Sequence, residues 1–125
     1  MTRKAISLFS SAGIGELGIS GSNIQVVVAN ELLEDRCDLY QENYPDTTLI
    51  RGDIWENVDK IILETKKRLA GDELFLAYAT PPCQGMSTNG IGKLKAEVRA
   101  GNRHHEDPRN RLIIPAMSVI CELRP

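Results

Sequence analysis

Residues 74–87 read Leu-Phe-Leu-Ala-Tyr-Ala-Thr-Pro-Pro-Cys-Gln-Gly-Met-Ser, and they place a cysteine where an apolar segment gives way to a loop. The first six residues are apolar, which is typical of a strand buried on both faces of a parallel sheet. Ligands bind at the carboxyl ends of strands in open α/β sheets, so Cys83 stands where a nucleophile would be useful. Pro81 and Pro82 fix two successive backbone angles and limit the positions of the thiol. On position alone, however, a single free cysteine is more often a small buried hydrophobic residue.

Composition and length indicate one small globular domain. The chain has 125 residues, 42% of them hydrophobic, and a net charge of −2, so the total charge does not indicate a nucleic-acid partner. Its three cysteines are widely spaced, which argues against a disulfide framework and a zinc site, and we expect no bound metal. A reducing cytoplasm is the expected compartment. The basic start is followed by an apolar run that serine and glycine soon interrupt, so we expect no signal peptide and no membrane span.

A small-residue turn follows the first predicted strand, residues 5–9. This turn, residues 10–18, opens a short helix, and its glycines and free N–H groups suit close approach by a ligand. Alone it also fits a plain strand-to-helix connection. The second predicted strand, residues 24–30, ends at Glu31, about 20 positions beyond the turn, where an acidic side chain can accept hydrogen bonds from ribose hydroxyls. The two features together favour a nucleoside cofactor.

The next segments continue the alternation of helix and strand. We predict a helix over residues 33–41, a brief third strand over 47–50, and an amphipathic helix over 57–70 that ends at Gly71. Asp53 lies just past the third strand. It is either a turn residue or helix cap, or in a nucleoside-binding crevice it faces the adenine amino group.

The segment after the cysteine changes character. Residues 85–111 contain four glycines and few periodic apolar residues, and connections longer than about 12–15 residues are uncommon unless they are functional or disordered. Residues 92–111 carry six lysines and arginines against three acidic residues, which fits a mobile basic lid that closes on a polyanion, or a solvated disordered loop. A last helix is predicted over 112–123. Its apolar face is predicted at Leu112, Met117, Ile120 and Cys121.

Several segments, in this order, resemble the cytosine-C5 DNA methyltransferase family. Residues 9–13 are similar to its cofactor turn, residues 52–54 to its adenine-contacting turn, and residues 81–84 to its nucleophile loop. Glu31 matches its ribose-binding acid. Residues 107–109, together with Leu112, resemble the segment that opens its next helix. The resemblance covers the whole length of the chain.

The resemblance implies a reaction and a set of site residues. S-adenosyl-L-methionine would be the cofactor and double-stranded DNA the substrate, within a restriction–modification system. The Cys83 thiolate would add to carbon 6 of a flipped-out cytosine, so that carbon 5 attacks the sulfonium methyl group. The implied catalytic residues are Cys83, Gln84, Ser87 and Arg109. The implied cofactor-binding residues are Phe9, Ser10, Ser11, Ala12, Gly13, Ile14, Glu31, Leu32, Asp53, Ile54, Pro81 and Leu112.

The implied fold is α/β, a partial class I methyltransferase (Rossmann-like) doubly wound sheet with strand order 3-2-1-4. Residues 1–125 would form one cofactor-binding and catalytic-cysteine unit with a mobile loop at about 85–111. Strand 74–79 would be an outer strand. The family's next strand, which carries a cytosine-contacting glutamate, and its target-recognition domain do not occur in the sequence. We therefore expect a complementary subunit, a missing C-terminal half or self-association through that outer strand.

Some positions differ from the family pattern, and two other functions stay open. Ser7 stands where an aspartate is usual, Ser11 and Ile14 replace two glycines, and Met86 replaces a phenylalanine. These changes would weaken cofactor binding or shift its pose. One alternative is a tRNA cytosine-5 methyltransferase. The other is a non-catalytic cofactor-binding subunit or remnant.

Overall fold

The computed structural model describes residues 2–19, 21–82 and 111–125. Within these residues the chain forms one parallel sheet with the strand order β3-β2-β1-β4, as the sequence predicted. The elements are β1 (Arg3–Leu8), α1 (Ile14–Ile19), β2 (Ile24–Glu31), α2 (Glu34–Asn43), β3 (Thr48–Arg51), α3 (Ile54–Leu69), β4 (Leu74–Ala79) and α4 (Ile113–Leu123).

Helices cover both faces of the sheet, so the doubly wound fold is confirmed. On one face α3 and α4 pack over Ile6, Leu8 and Val28, and this cluster is the larger part of the core. On the other face α1 and α2 cover a smaller cluster that contains Ala29 and Tyr40. Parallel strands need crossover connections, and the reversal of strand order beside β1 sends the later helices to the opposite face.

The two edges of the sheet differ in burial. β2 pairs with both β1 and β3, and its last six residues are buried. In the described part of the chain β4 pairs with β1 alone. Only Leu74 of β4 is buried, while Phe75 is about half exposed under the guanidinium of Arg3. Ala77 and Ala79 pack against the core on one face and Leu76 packs against the core on the other, so the strand contacts the core on both faces, as predicted, although most of its residues are only partly buried.

Helix α3 begins earlier than the predicted residue 57. Asp53 is its N-cap, and the side chain accepts a hydrogen bond from the backbone N–H of Trp55 at 3.0 Å. The helix ends where Ala70 and Gly71 take left-handed conformations. A capping side chain supplies a partner for an N–H that a helix start would otherwise leave unpaired, which explains the earlier start.

The buried face of helix α4 differs in part from the predicted one, since Leu112 packs against the core and Ile120 is partly buried, as predicted, but the other two positions are not. Pro115, in its first turn, and Ala116 and Val119 are buried, whereas Met117 and Cys121 are exposed. Small side chains at these positions let α4 pack closely against α3, while Ile113, Ile114 and Met117 are about half exposed. None of the helices in the described ranges is long and apolar enough to cross a membrane.

Candidate functional site

A crevice of about 380 Å³ lies along the carboxyl ends of the four strands. This is the edge where open α/β sheets bind ligands. Its lining comes from every strand end and from the start of α4, namely Phe9, Ser11, Asn30, Glu31, Leu32, Leu33, Arg36, Gly52, Asp53, Ile54, Thr80, Pro82 and Leu112. Seven of these residues were predicted to bind the cofactor, from four separate segments.

The turn after β1 forms the first wall of the crevice. Phe9 and Ser11 both have positive φ angles, 58° and 53°, which L-residues seldom adopt. Between them Ser10 is buried. Its hydroxyl donates to the backbone carbonyl oxygen of Ser7 at 2.9 Å and also lies 2.9 Å from the Ser7 hydroxyl. Ser10 and Ser7 therefore hold the shape of the turn from beneath. At Ser11 a residue with a side chain replaces the expected glycine in a conformation that favours glycine.

Helix α2 supports the same turn from outside the crevice. The Tyr44 hydroxyl donates to the carbonyl oxygen of Gly13 at 2.8 Å, and the Tyr40 hydroxyl donates to Glu16 at 3.3 Å. A side chain at Gly13 would collide with the Tyr44 ring, and Gly13 has a φ of 86°. Gly13 is thus required for packing as well as for the turn.

Four of the predicted turn contacts do not line the crevice. Ser10 and Gly13 are buried within the turn, Ala12 is partly buried, and Ile14 is 74% exposed at the start of α1. The glycine-rich segment thus acts mainly through its backbone shape, while Phe9 and Ser11 present their surfaces to the crevice.

Glu31 stands at the end of β2 and is almost fully buried. Its Oε2 accepts a hydrogen bond from the backbone N–H of Leu32 at 2.8 Å, and its Oε1 lies 3.9 Å from the Arg36 guanidinium. Its backbone carbonyl oxygen accepts from the N–H of Gly52 at 2.9 Å. The carboxylate is therefore fixed in position at the crevice wall and carries acceptor oxygens that a ligand hydroxyl can meet.

Asp53 stands two residues past the end of β3, whose last residue, Arg51, pairs with Glu31. Its Oδ1 caps α3, so the cap interpretation of this residue is correct. A carboxylate has two acceptor oxygens, and the cap uses one of them. Asp53 also lines the crevice, which leaves the ligand-facing interpretation compatible with the cap.

The segment after β4 forms the last part of the crevice lining that comes from a strand end. The Thr80 hydroxyl donates to the carbonyl oxygen of Phe9 at 3.3 Å, and this contact joins the loops that follow β4 and β1. Pro82 lines the crevice, whereas the predicted Pro81 does not. The predicted catalytic residues Cys83, Gln84, Ser87 and Arg109 lie outside the described residues.

The two described cysteines contrast with each other. Cys37 is fully buried, and its thiol donates to the carbonyl oxygen of Glu31 at 3.3 Å. Burial raises the pKa of the Cys37 thiol above its ordinary value, which disfavours the nucleophilic thiolate. Cys121 is exposed on α4 and does not line the crevice.

Sequence reasoning missed several lining residues. Asn30, Leu33, Arg36, Thr80 and Pro82 line the crevice without having been predicted as cofactor contacts. Gly52, which belongs to the predicted adenine-contacting turn, also lines it. A signal existed for Asn30, which is a polar residue directly after the apolar run of residues 26–29 in a central strand. For Arg36 no such signal existed, because a single arginine near the start of a helix is usually a solvated surface residue.

Comparison with known proteins identifies the family. The model of the C-5 cytosine-specific DNA methylases matches residues 3–125. The chain belongs to this family. Type II methyltransferase M1.HgaI of Avibacterium volantium is 39% identical over 120 residues, which cover 96% of this chain and 31% of that protein. Type II methyltransferase M.AquIA of Picosynechococcus sp. is 34% identical over 125 residues, which cover 100% of this chain and 46% of that protein.

The fold agrees with that of a solved protein described as a DNA modification methyltransferase. A prophage-encoded DNA modification methyltransferase (E. coli) superposes with a TM-score of 0.71 over 99% of this chain, at 24% identity, and the match covers 30% of that chain. The C-5 methylase chain described here therefore spans between about a third and a half of the length of these relatives.

Proposed function

We propose that this chain forms the cofactor-binding and nucleophile-bearing part of a DNA (cytosine-5-)-methyltransferase of a restriction–modification system. One observation carries the proposal. In a chain that belongs to the C-5 methylase family, two carboxylates, Glu31 and Asp53, line one crevice at the ends of adjacent parallel strands. Paired acceptors at such an edge suit the ribose and the base of a nucleoside.

The residues of the crevice fit S-adenosyl-L-methionine. Its volume of about 380 Å³ is within the usual range for small-ligand sites, which is about 300–1,000 Å³. Glu31, held by the N–H of Leu32, would accept hydrogen bonds from the ribose hydroxyls. Asp53 would accept from the adenine amino group through the oxygen that does not cap α3. Phe9 and Ile54 supply apolar surface for the base. When bound, the cofactor supplies an electrophilic methyl group on a sulfonium centre.

Cys83 is our proposed nucleophile. It follows Pro82 directly in the sequence, and Pro82 lines the crevice. The buried Cys37 and the exposed Cys121 on α4 are poor candidates for the reasons given above. The Cys83 thiolate would add to carbon 6 of cytosine, which makes carbon 5 nucleophilic. After methyl transfer, loss of the carbon 5 proton and elimination of the thiolate would restore the aromatic ring.

Double-stranded DNA is our proposed substrate, with Gln84, Ser87 and Arg109 as further contacts of the catalytic loop. The family description and the names of the relatives favour DNA over the tRNA alternative. The basic residues of 92–111 would contact phosphates beside the target base and help to offset the cost of flipping it, about a few kcal/mol. A bacterial cytoplasm, where DNA and reduced thiols occur together, is the compartment that we propose.

We further propose that the outer edge of β4 is covered in the working enzyme. The strand offers unpaired backbone groups on that side in the described structure, and Phe75 beside it is about half exposed. The covering segment would come from the remainder of a longer chain, from a complementary subunit or from a second copy. If no such segment covers β4, the chain would be a cofactor-binding subunit without activity of its own, which is the other function that the sequence leaves open.

A chimaera tests the proposed function. Residues 1–125 would replace the matching segment of M1.HgaI, which is 39% identical to them, so that the relative supplies the remaining part of the enzyme. We expect the chimaera to incorporate labelled methyl groups into duplex DNA. Cys83→Ser should abolish incorporation, whereas Cys121→Ser, a matched change at an exposed cysteine, should leave it unchanged. Methyl transfer by the folded Cys83→Ser chimaera would contradict the assignment of the nucleophile.

A further inference from the structure

Asn30 lines the crevice, although it was not among the predicted contacts. It is the next-to-last residue of β2 and only 2% exposed. Its backbone carbonyl oxygen accepts a hydrogen bond from the N–H of Ser10 in the turn after β1. Its side-chain amide donates to the carbonyl oxygens of Ile50 at 2.8 Å and Gly52 at 3.1 Å. This residue therefore contacts the ends of both neighbouring strands.

The amide of Asn30 is suited to this position. It carries two N–H donors, and the two carbonyl oxygens of β3 and its turn match them in number. An aspartate has nearly the same shape, but its carboxylate oxygen would face the carbonyl oxygens of Ile50 and Gly52, and neither side could donate a hydrogen bond. A buried carbonyl that loses its donor is unfavourable, because it has given up water without a replacement. The turn would then have to move.

The turn that Asn30 holds is the one that carries Asp53. Gly52 has a φ of 117°, so the chain leaves the direction of β3 at this point. Its N–H donates to Glu31 and its carbonyl oxygen accepts from Asn30. The orientation of the turn relative to Glu31 thus depends on these two hydrogen bonds, and the side chain of Asn30 makes one of them.

We propose that Asn30 is a positioning residue that sets the separation of Glu31 and Asp53, and through it the affinity for the nucleoside part of the cofactor. The inference rests on the proposed function of the crevice. Binding groups need to be held within about 0.5 Å of their productive positions. Asn30 acts through the turn, so its loss should weaken binding of the adenosine part and leave the methionine part of the ligand unaffected.

The test measures binding of S-adenosylhomocysteine and of adenosine to the full chain by calorimetry. Asn30→Asp should weaken both ligands by the same factor, about tenfold, because both carry the adenosine group. The control is Asn43→Asp, the same substitution at an exposed asparagine of α2 whose amide donates to Leu39 and which does not line the crevice. We expect the control to bind like the wild type.

Two further readouts separate positioning from direct contact and from general destabilisation. Trp55 is the only tryptophan of the chain, and its backbone N–H donates to Asp53, so its fluorescence reports on the turn. Asn30→Asp should shift this emission in the ligand-free protein, and Asn43→Asp should not. In an Asp53→Asn background the effect of Asn30→Asp on affinity should largely disappear, because both changes act on the same contact.

Each outcome has a distinct meaning. If the wild type binds neither ligand, the proposed function fails. If the wild type binds both and Asn30→Asp binds within twofold of it, the positioning role is wrong. An undiminished effect in the Asp53→Asn background would also overturn it, since Asn30 would then contact the ligand directly. If circular dichroism shows that Asn30→Asp does not fold, Asn30→Ser, which adds no charge and retains one donor, is judged by the same criteria.

Discussion

The two sides of the crevice are built differently. On the side of β2 and β3, Glu31 and Asp53 are each held by a backbone N–H, and Asn30 joins the two strand ends. On the side of β4, Thr80 makes one side-chain hydrogen bond across to Phe9, and the strand has a single neighbour among the described residues. One side of the crevice is therefore fixed by several hydrogen bonds, and the other borders an open sheet edge.

This difference indicates that the two sides of the crevice have different functions. The fixed side carries the groups that we assign to the nucleoside of the cofactor, and described residues of this chain supply the hydrogen bonds that hold these groups. The open side leads directly into the segment with the proposed nucleophile, Cys83. We infer that cofactor binding is a property of this chain, and that methyl transfer depends on what covers β4.

The largest expected effect is on the fixed side, at Glu31. Glu31→Gln retains an oxygen that can accept from Leu32 but turns an N–H₂ group toward the ligand, so the ribose hydroxyls lose their charged acceptor. A hydrogen bond to a charged group contributes about 1.5–3 kcal/mol, so binding of S-adenosylhomocysteine should weaken about 10- to 100-fold. Glu34→Gln, an exposed change on α2, is the control. Equal affinity of the Glu31→Gln variant and the wild type, measured by calorimetry, would show that Glu31 does not contact the ribose.

The next effect is on the open side, at Phe75. If the isolated chain covers its own edge by association, its mass in light scattering should rise with concentration. Phe75→Lys places a charge beside the edge and should raise the concentration at which association begins by about tenfold, since a buried phenylalanine contributes about 1.5–3 kcal/mol. The matched control is Leu63→Lys, a similarly exposed apolar residue on α3. Equal effects of the two substitutions would mean that association does not use the β4 edge.

A smaller pair of effects separates the two roles of Asp53. Asn caps helices about as well as Asp, so Asp53→Asn should leave stability nearly unchanged, whereas Asp53→Ala should lower the free energy of unfolding by about 1 kcal/mol. Both variants should weaken binding of adenosine. The single side-chain oxygen of asparagine would be used by the cap and alanine has none, so neither variant presents an acceptor oxygen to the adenine amino group. Urea denaturation and calorimetry measure the two properties. Normal adenosine binding by Asp53→Asn would reduce Asp53 to a cap.

The smallest effect concerns the support beneath the cofactor turn. Burial, and then the nearby Glu16, raise the pKa of the Tyr40 hydroxyl above its ordinary value of 10.0. The folded state therefore holds this proton more tightly than the unfolded state. The contribution of the neutral Tyr40 hydroxyl to the free energy of unfolding is complete below pH 10.0 and is lost as the pH rises further. Tyr40→Phe should be less stable than the wild type at pH 8, and the difference between their free energies of unfolding should become smaller above pH 10. A difference that stays constant to pH 11 in chemical denaturation would contradict this origin.

The sequence predicted the sheet well because apolar strands and small-residue turns have strong local signals. The order 3-2-1-4 and the bounds of β4 were predicted correctly. Phe9, Glu31 and Asp53 line one crevice, and their contact with a cofactor stays a prediction. The buried face of α4 was predicted correctly only in part, because which of several apolar residues packs inward depends on how closely the helix approaches α3. The positioning role of Asn30 was also missed, since its partners are backbone carbonyls of another strand and leave no pattern along the chain.

Calorimetry of the wild-type chain with S-adenosylhomocysteine, with NADH as a comparison, tests the central claim most directly. We expect one binding site for S-adenosylhomocysteine at the crevice, saturable below millimolar concentration, with much weaker binding of NADH. Absence of binding by both S-adenosylhomocysteine and S-adenosyl-L-methionine at millimolar concentration would contradict it. Binding that Glu31→Gln leaves intact would contradict the site that we assign.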